Sequence, residues 1–179
     1  MARTTQFQRP GFVLRFIPIF YGMYADALDK YLSGNKTGVH SMWAVHFSTA
    51  GRPKTGSASA WIGGVAASIK TGVTAHIRGD MAGALEQAYR SYVRKYCLSS
   101  PPFDTFKRDF FDTMKPVFEK AKAALLLNVS QLGPFPVRPE VGQFVLAIGE
   151  QTFVGGLSTD EIYSWREEAW QKARRSLGQ

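Results

Sequence analysis

Apolar residues recur along this chain at spacings of three and four, and no long stretch alternates apolar with polar side chains. That rhythm suits a helix with one buried stripe and not a strand, whose period is two. The chain is therefore expected to be all-α, a single compact bundle of about six helices spanning residues 1–179. A first helix is expected over residues 12–33, carrying Phe12, Phe16, Phe20, Tyr24 and Leu28, with Pro18 either starting it or kinking it. The glycine- and asparagine-bearing run 33–38 is a turn, and a second helix should cover 39–49.

Residues 51–57 form a loop, and helical spacing returns from 58 to 97. This stretch holds many small residues, among them Gly63, Gly64, Gly72, Gly79 and Gly83. Each internal glycine costs about 1 kcal/mol against alanine, so the density implies close backbone approach, room for a ligand, or real breaks near Gly63 or Gly72. Asp104 is the expected N-cap of a long helix to about residue 130, bent at Pro116. Residues 132–139 form a clear break, and Pro139 opens a further helix to about residue 152. Ser158 and Glu161 have the spacing of a capping box for a last helix over 158–177, with Ile162, Trp165, Ala169 and Trp170 as its buried edge.

A chain of 179 residues with 45% hydrophobic and 20% charged residues can bury a core without staples, which excludes a disordered or disulfide-scaffold class. The lone cysteine, Cys97, has no internal disulfide partner and reads as apolar filler. Residues 1–10 form a basic arm, and the apolar stretch after it is interrupted by Arg15 and lacks a cleavage pattern, so no signal peptide is read and a cytoplasmic location is expected. No uncharged apolar run is long enough to suggest a transmembrane segment. The net charge of +8 is spread out, with small clusters at 90–95 and 172–176, so the cations read as solvated helix ends and nucleic acid is an unlikely partner.

Common catalytic signatures are missing. There is no GxxxxGK[ST] phosphate loop, no GxGxxG turn and no GxSxG elbow. What remains is His76-Ile77-Arg78-Gly79-Asp80, which on a helix puts an imidazole and a carboxylate on one face at i and i+4. Such a pair can share a proton, with His76 as general base oriented by Asp80, or can ligate one divalent metal, zinc being the natural ion for imidazole and carboxylate. The same spacing equally serves a structural hydrogen bond. Asp26, flanked by Tyr24, Ala25 and Ala27, is the expected third member, since a carboxylate in apolar company is paired or functional. His40 and His46, six apart, fall on different faces of one helix, and His46 beside Trp43 and Phe47 is the more buried.

The segments 20–28, 43–47 and 75–85 together resemble a bacterial group known as domain of unknown function 5995. Its members carry an aromatic-Tyr-x-Asp-Ala segment, a Trp-bearing helix and an Ala-His-Ile-x-x-Asp-Leu-x-x-Ala-Leu core, and Met81 stands here at the Leu position. The resemblance covers about residues 12–130 and implies a helical fold without an assigned activity. His76 to Asp80 is also similar, more faintly, to the His-x-x-x-Asp zinc-ligand pairs of helical zinc-dependent phospholipase C and single-strand nucleases. With three histidines in all, a multinuclear centre is excluded here and at most one metal fits.

The expectation that follows is a small helical enzyme that hydrolyses a small or phosphorylated substrate in a pocket formed by Asp26, His76 and Asp80. Tyr24, Trp43, His46 and Arg78 would contact the substrate. The alternative is a non-catalytic module whose aromatic groove, lined from Phe12, Phe16, Phe20, Tyr24 and Trp43, takes an apolar ligand or a partner helix.

Overall fold

The computed structural model describes residues 7–52, 58–96, 99–113, 115 and 157–179. Among these, the longer elements are all helical: α1 (Pro10–Leu32), α2 (Ser41–Ala50), α3 (Ala58–Thr74), α4 (Met81–Tyr96) and α5 (Thr159–Ser176). The all-α expectation holds, and the five helices come close to the predicted bundle of about six.

Helix α1 starts at Pro10, where a missing N–H and a fixed φ cost nothing, and it runs unbroken through Pro18. Pro18 and Leu14 are both exposed, so the carbonyl that loses its donor lies on the side open to water. The N-terminus has no local side-chain cap. Asp109 caps it from across the fold instead, its carboxylate oxygens accepting the amides of Gln8 at 2.8 Å and Arg9 at 2.6 Å. The opposite end of α1 stops at Gly34, whose φ of +80° is open to glycine and strained for other residues.

Helices α3 and α4 form one continuous rod without the breaks considered at Gly63 or Gly72. The irregularity lies further on, at Ala75–Asp80, which winds as a π-helical turn in which the amide of Met81 reaches the carbonyl of His76. Gly72 has the close-approach role the glycine density implied. A Cβ there would stand 2.9 Å from Cε1 of His46, so only glycine lets α2 pack this near to α3.

Two apolar clusters hold the bundle. The larger joins α1, α4 and α5 through Phe12, Phe16, Leu85, Phe103, Phe106, Phe110 and Trp170. Trp170 stacks on Phe103 with centroids 4.1 Å apart. Burying each such ring is worth roughly 1.5–3 kcal/mol. The smaller cluster, Ala27, Val39, Trp43, Phe47 and Ala75, fixes α2 against α1 and the π-turn.

The C-terminal helix begins as expected, with the Ser158 hydroxyl accepting the Glu161 amide at 3.0 Å, and its Ala169 and Trp170 are buried. Asp104 departs from expectation. It sits in a short 3-10 turn, Phe103–Phe106, and accepts a hydrogen bond from the Trp170 indole at 3.0 Å, so it ties α5 down rather than capping a helix. A second π-turn follows at Asp109–Thr113. The predicted bend at Pro116, the break at 132–139 and the helix from Pro139 lie outside the described residues, as do Cys97 and residues 1–6 of the arm.

Candidate functional site

The π-turn Ala75–Asp80 sends its side chains to three different places. Ala75 and Ile77 go into the core. Arg78 goes to the far side, where its guanidinium lies over the Trp165 ring at 5.4 Å. His76 and Asp80 face α1 and α2.

Asp80 is nearly buried, its side chain 12% exposed, and its Oδ2 accepts a 2.8 Å hydrogen bond from the indole of Trp43. Burial pushes its carboxyl above the usual range, while the Trp43 bond pulls the other way. The His76 ring is wedged among aromatics, with centroids 4.6 Å from Phe20, 5.7 Å from Tyr24 and 4.7 Å from Trp43, the last edge-on. Desolvation there, aided by the nearby His46, lowers the imidazole to about 4. His76 is therefore neutral at pH 7.

The pair does not form the predicted i,i+4 contact. Nδ1 of His76 stands 3.9 Å from Oδ2 of Asp80, beyond hydrogen-bond reach, and Trp43 already occupies that oxygen. With a neutral imidazole the approach is no salt bridge either. Nδ1 is buried with no hydrogen-bond partner among the described residues, although a third of the side chain remains exposed. The accessible part of the ring is thus elsewhere than Nδ1.

Next to the pair lies an open hollow of about 240 Å³, lined by Met23, Asp26, His40, Trp43, Asp80 and three glycines, Gly38, Gly79 and Gly83. Glycines at these places keep the floor low. Asp26 and Asp80 thus share a cavity, while His76, the third member of the predicted trio, does not line it and borders it only through Trp43 and Asp80. Asp26 differs from expectation in burial. It is exposed and paired with Lys30 at 2.6 Å, so its apolar sequence neighbours point elsewhere around the helix.

Of the four predicted substrate contacts, only Trp43 lines the hollow. Tyr24 packs on Trp43 and His76 behind it. His46 turns toward α3, with its Nδ1 at 3.1 Å from the Ser68 carbonyl, which requires the proton on that nitrogen, and burial lowers its pKa. Arg78 is on the opposite side of the turn. The predicted aromatic groove is closed, since Phe12, Phe16 and Trp43 are all but fully buried.

Sequence reasoning set His40 within the second helix and gave it no role in the site. It precedes Ser41 as the N-cap of α2, and its Nδ1 accepts the Met42 amide at 3.3 Å. Its position before the first helical residue was the available signal, although histidine is an uncommon cap.

A metal does not fit these residues. No three His, Cys, Asp or Glu side chains converge among the described residues, and His76 with Asp80 offers two ligands where catalytic zinc keeps three.

The family described as "Family of unknown function (DUF5995)" matches residues 1–179. No curated protein and no solved structure matches the chain.

Proposed function

The chain belongs to DUF5995, a family of unknown function, and from that premise we propose that it is a small hydrolase working by His–Asp acid–base chemistry on a small polar or phosphorylated substrate. The observation that carries this reading is a neutral imidazole with a buried, unmatched Nδ1 set 3.9 Å from a carboxylate that a second side chain holds in place. An orphaned buried nitrogen costs roughly 1–3 kcal/mol, a cost that folding alone gives no reason to keep. A π-turn at the same residues adds weight, since such turns are frequent at functional sites.

In this reading His76 carries its proton on Nδ1 and presents the other ring nitrogen as base. The base takes a proton from a water molecule at the exposed edge of its ring, beside the hollow, as that water attacks a substrate reaching out of the hollow past Asp80, and the imidazolium then returns the proton to the leaving group. Asp80, pinned by Trp43, orients the Nδ1 proton and offsets the positive charge once ring and carboxylate close to hydrogen-bond distance. The hollow admits only a small substrate, being below the roughly 300–1,000 Å³ of sites for drug-sized ligands. Because the donors present do not suit a metal, activity should survive a chelator.

The test is a screen of small ester and phosphoester substrates with the intact chain, His76→Gln and Trp43→Phe. Turnover lost about 100-fold or more in His76→Gln, with normal circular dichroism and a rate that rises with pH through the His76 titration, supports the reading. Turnover unchanged in His76→Gln, or a hollow that binds substrates without ever converting them, rejects it in favour of a binding module.

A further inference from the structure

One face of α1 stays uncovered. Leu14, Ile17 and Tyr21 are 70%, 49% and 66% exposed, and Pro18 and Gly22 beside them are exposed as well. Positions 14, 17, 18, 21 and 22 follow the i, i+3, i+4, i+7, i+8 pattern of a single helical stripe. This is the side opposite Phe12, Val13, Phe16 and Ala27, which face the core. Among the described residues, α1 is the one helix long and apolar enough by composition to cross a membrane, yet only 22% of its most apolar 18-residue window is buried. It packs against α4 and α2 on its inner side, and its apolar outer stripe faces away from the bundle.

The stripe is bordered by cations. Tyr96, 54% exposed at the end of α4, packs against Gly11, and the guanidinium of Arg15 lies over its ring at 5.0 Å. The ammonium of Lys95 approaches the same ring at 5.5 Å, and Arg94 is exposed next to it. None of Arg15, Arg94 and Lys95 pairs with a carboxylate among the described residues, unlike Lys30, Arg90, Lys107 and Arg174. Leu14 is one helical turn from Gly11, so the apolar stripe, two exposed tyrosines and three cations without a carboxylate partner among the described residues form one continuous patch.

We propose that this α1 face docks on an anionic lipid surface. Aliphatic side chains would enter the acyl boundary, the tyrosines would sit at headgroup level, and Arg15, Arg94 and Lys95 would meet lipid phosphates and carboxylates. The net charge of +8 draws the molecule to such a surface before contact. Charge chooses the occupant: a second copy of this chain would bring the same unpaired cations face to face, whereas anionic lipid complements them.

The intact chain is sedimented with phosphatidylcholine vesicles with and without phosphatidylserine. Binding is expected only with phosphatidylserine, and should fall about tenfold or more in Arg94→Ser/Lys95→Ser and in Leu14→Glu/Ile17→Glu, whose exposed positions leave the fold intact. Equal binding to both vesicles, or binding that Leu14→Glu/Ile17→Glu does not weaken, overturns the proposal. So does failure to bind any vesicle, and a concentration-dependent dimer that Leu14→Glu/Ile17→Glu abolishes would then identify a second copy as the occupant.

Discussion

Two π-helical turns each place an aspartate at one end, Asp109 opening one and Asp80 closing the other, and they use it in opposite ways. In Asp109–Thr113 the Asp109 side chain is 1% exposed, and both of its oxygens accept backbone amides from the start of α1. In Ala75–Asp80, Asp80 has one oxygen on Trp43, opens onto a hollow, and stands next to a histidine whose buried nitrogen is unmatched among the described residues. A π-turn is therefore not in itself a functional signature. Its i→i+5 bonding shifts side chains off the α-helical register, and what those side chains meet next decides whether the turn is a joint or a site.

The largest effect should come from the satisfied turn. Asp109→Ala strips the cap from α1 and leaves two amides without acceptors, so unfolding free energy should drop by ~3 kcal/mol in a denaturant titration, with Asp109→Asn losing less. A loss below about 1 kcal/mol would mean that this aspartate is as loosely held as Asp80. Trp43→Phe comes next. It keeps most of the ring packing but removes the indole N–H that Asp80 accepts, at a cost of ~1–2 kcal/mol, and should raise the Asp80 carboxyl further in an NMR titration.

A pH series separates the turns differently. Because His76 is lowered to about 4 in the fold, the unfolded chain takes up its proton first as pH falls below its usual value near 6.5. Stability should therefore decline between about pH 6.5 and 4 by ~1–2 kcal/mol once the exposed third of the ring is allowed for, and should flatten below that range. Asp80 opposes this at the acid end, since burial favours its neutral form, so Asp80→Asn should make the His76 decline easier to read. The smallest effect belongs to Lys30→Ala. Its ion pair with Asp26 is exposed, and stability should change by less than about 0.5 kcal/mol; a larger loss would show that Asp26 is held as firmly as Asp109.

Local features were readable where one element carries its own signal. Ser158 and Glu161 stand three apart and make their cap, and the spacing of Phe12, Phe16 and Ala27 marks the buried side of α1. Site geometry was only partly readable. The His76–Asp80 spacing implied a hydrogen bond between them, whereas Trp43, from another helix, takes the Asp80 oxygen and the two atoms stand 3.9 Å apart. Arg78, two residues from His76, was placed with the site because nothing in its spacing says that Trp165, 87 positions later, would draw it to the other side.

By itself the sequence determined the helical class, the approximate limits of α1, α2 and α5, and the presence of an imidazole and a carboxylate within one turn, because periodicity and caps act over a few residues. Only the tertiary structure decided that Trp43 holds Asp80, that burial among Phe20, Tyr24 and Trp43 keeps His76 neutral, and that Asp109 caps a helix 100 positions away. Those outcomes depend on desolvation and on donors supplied by distant segments, and neither is encoded in the spacing of neighbouring residues.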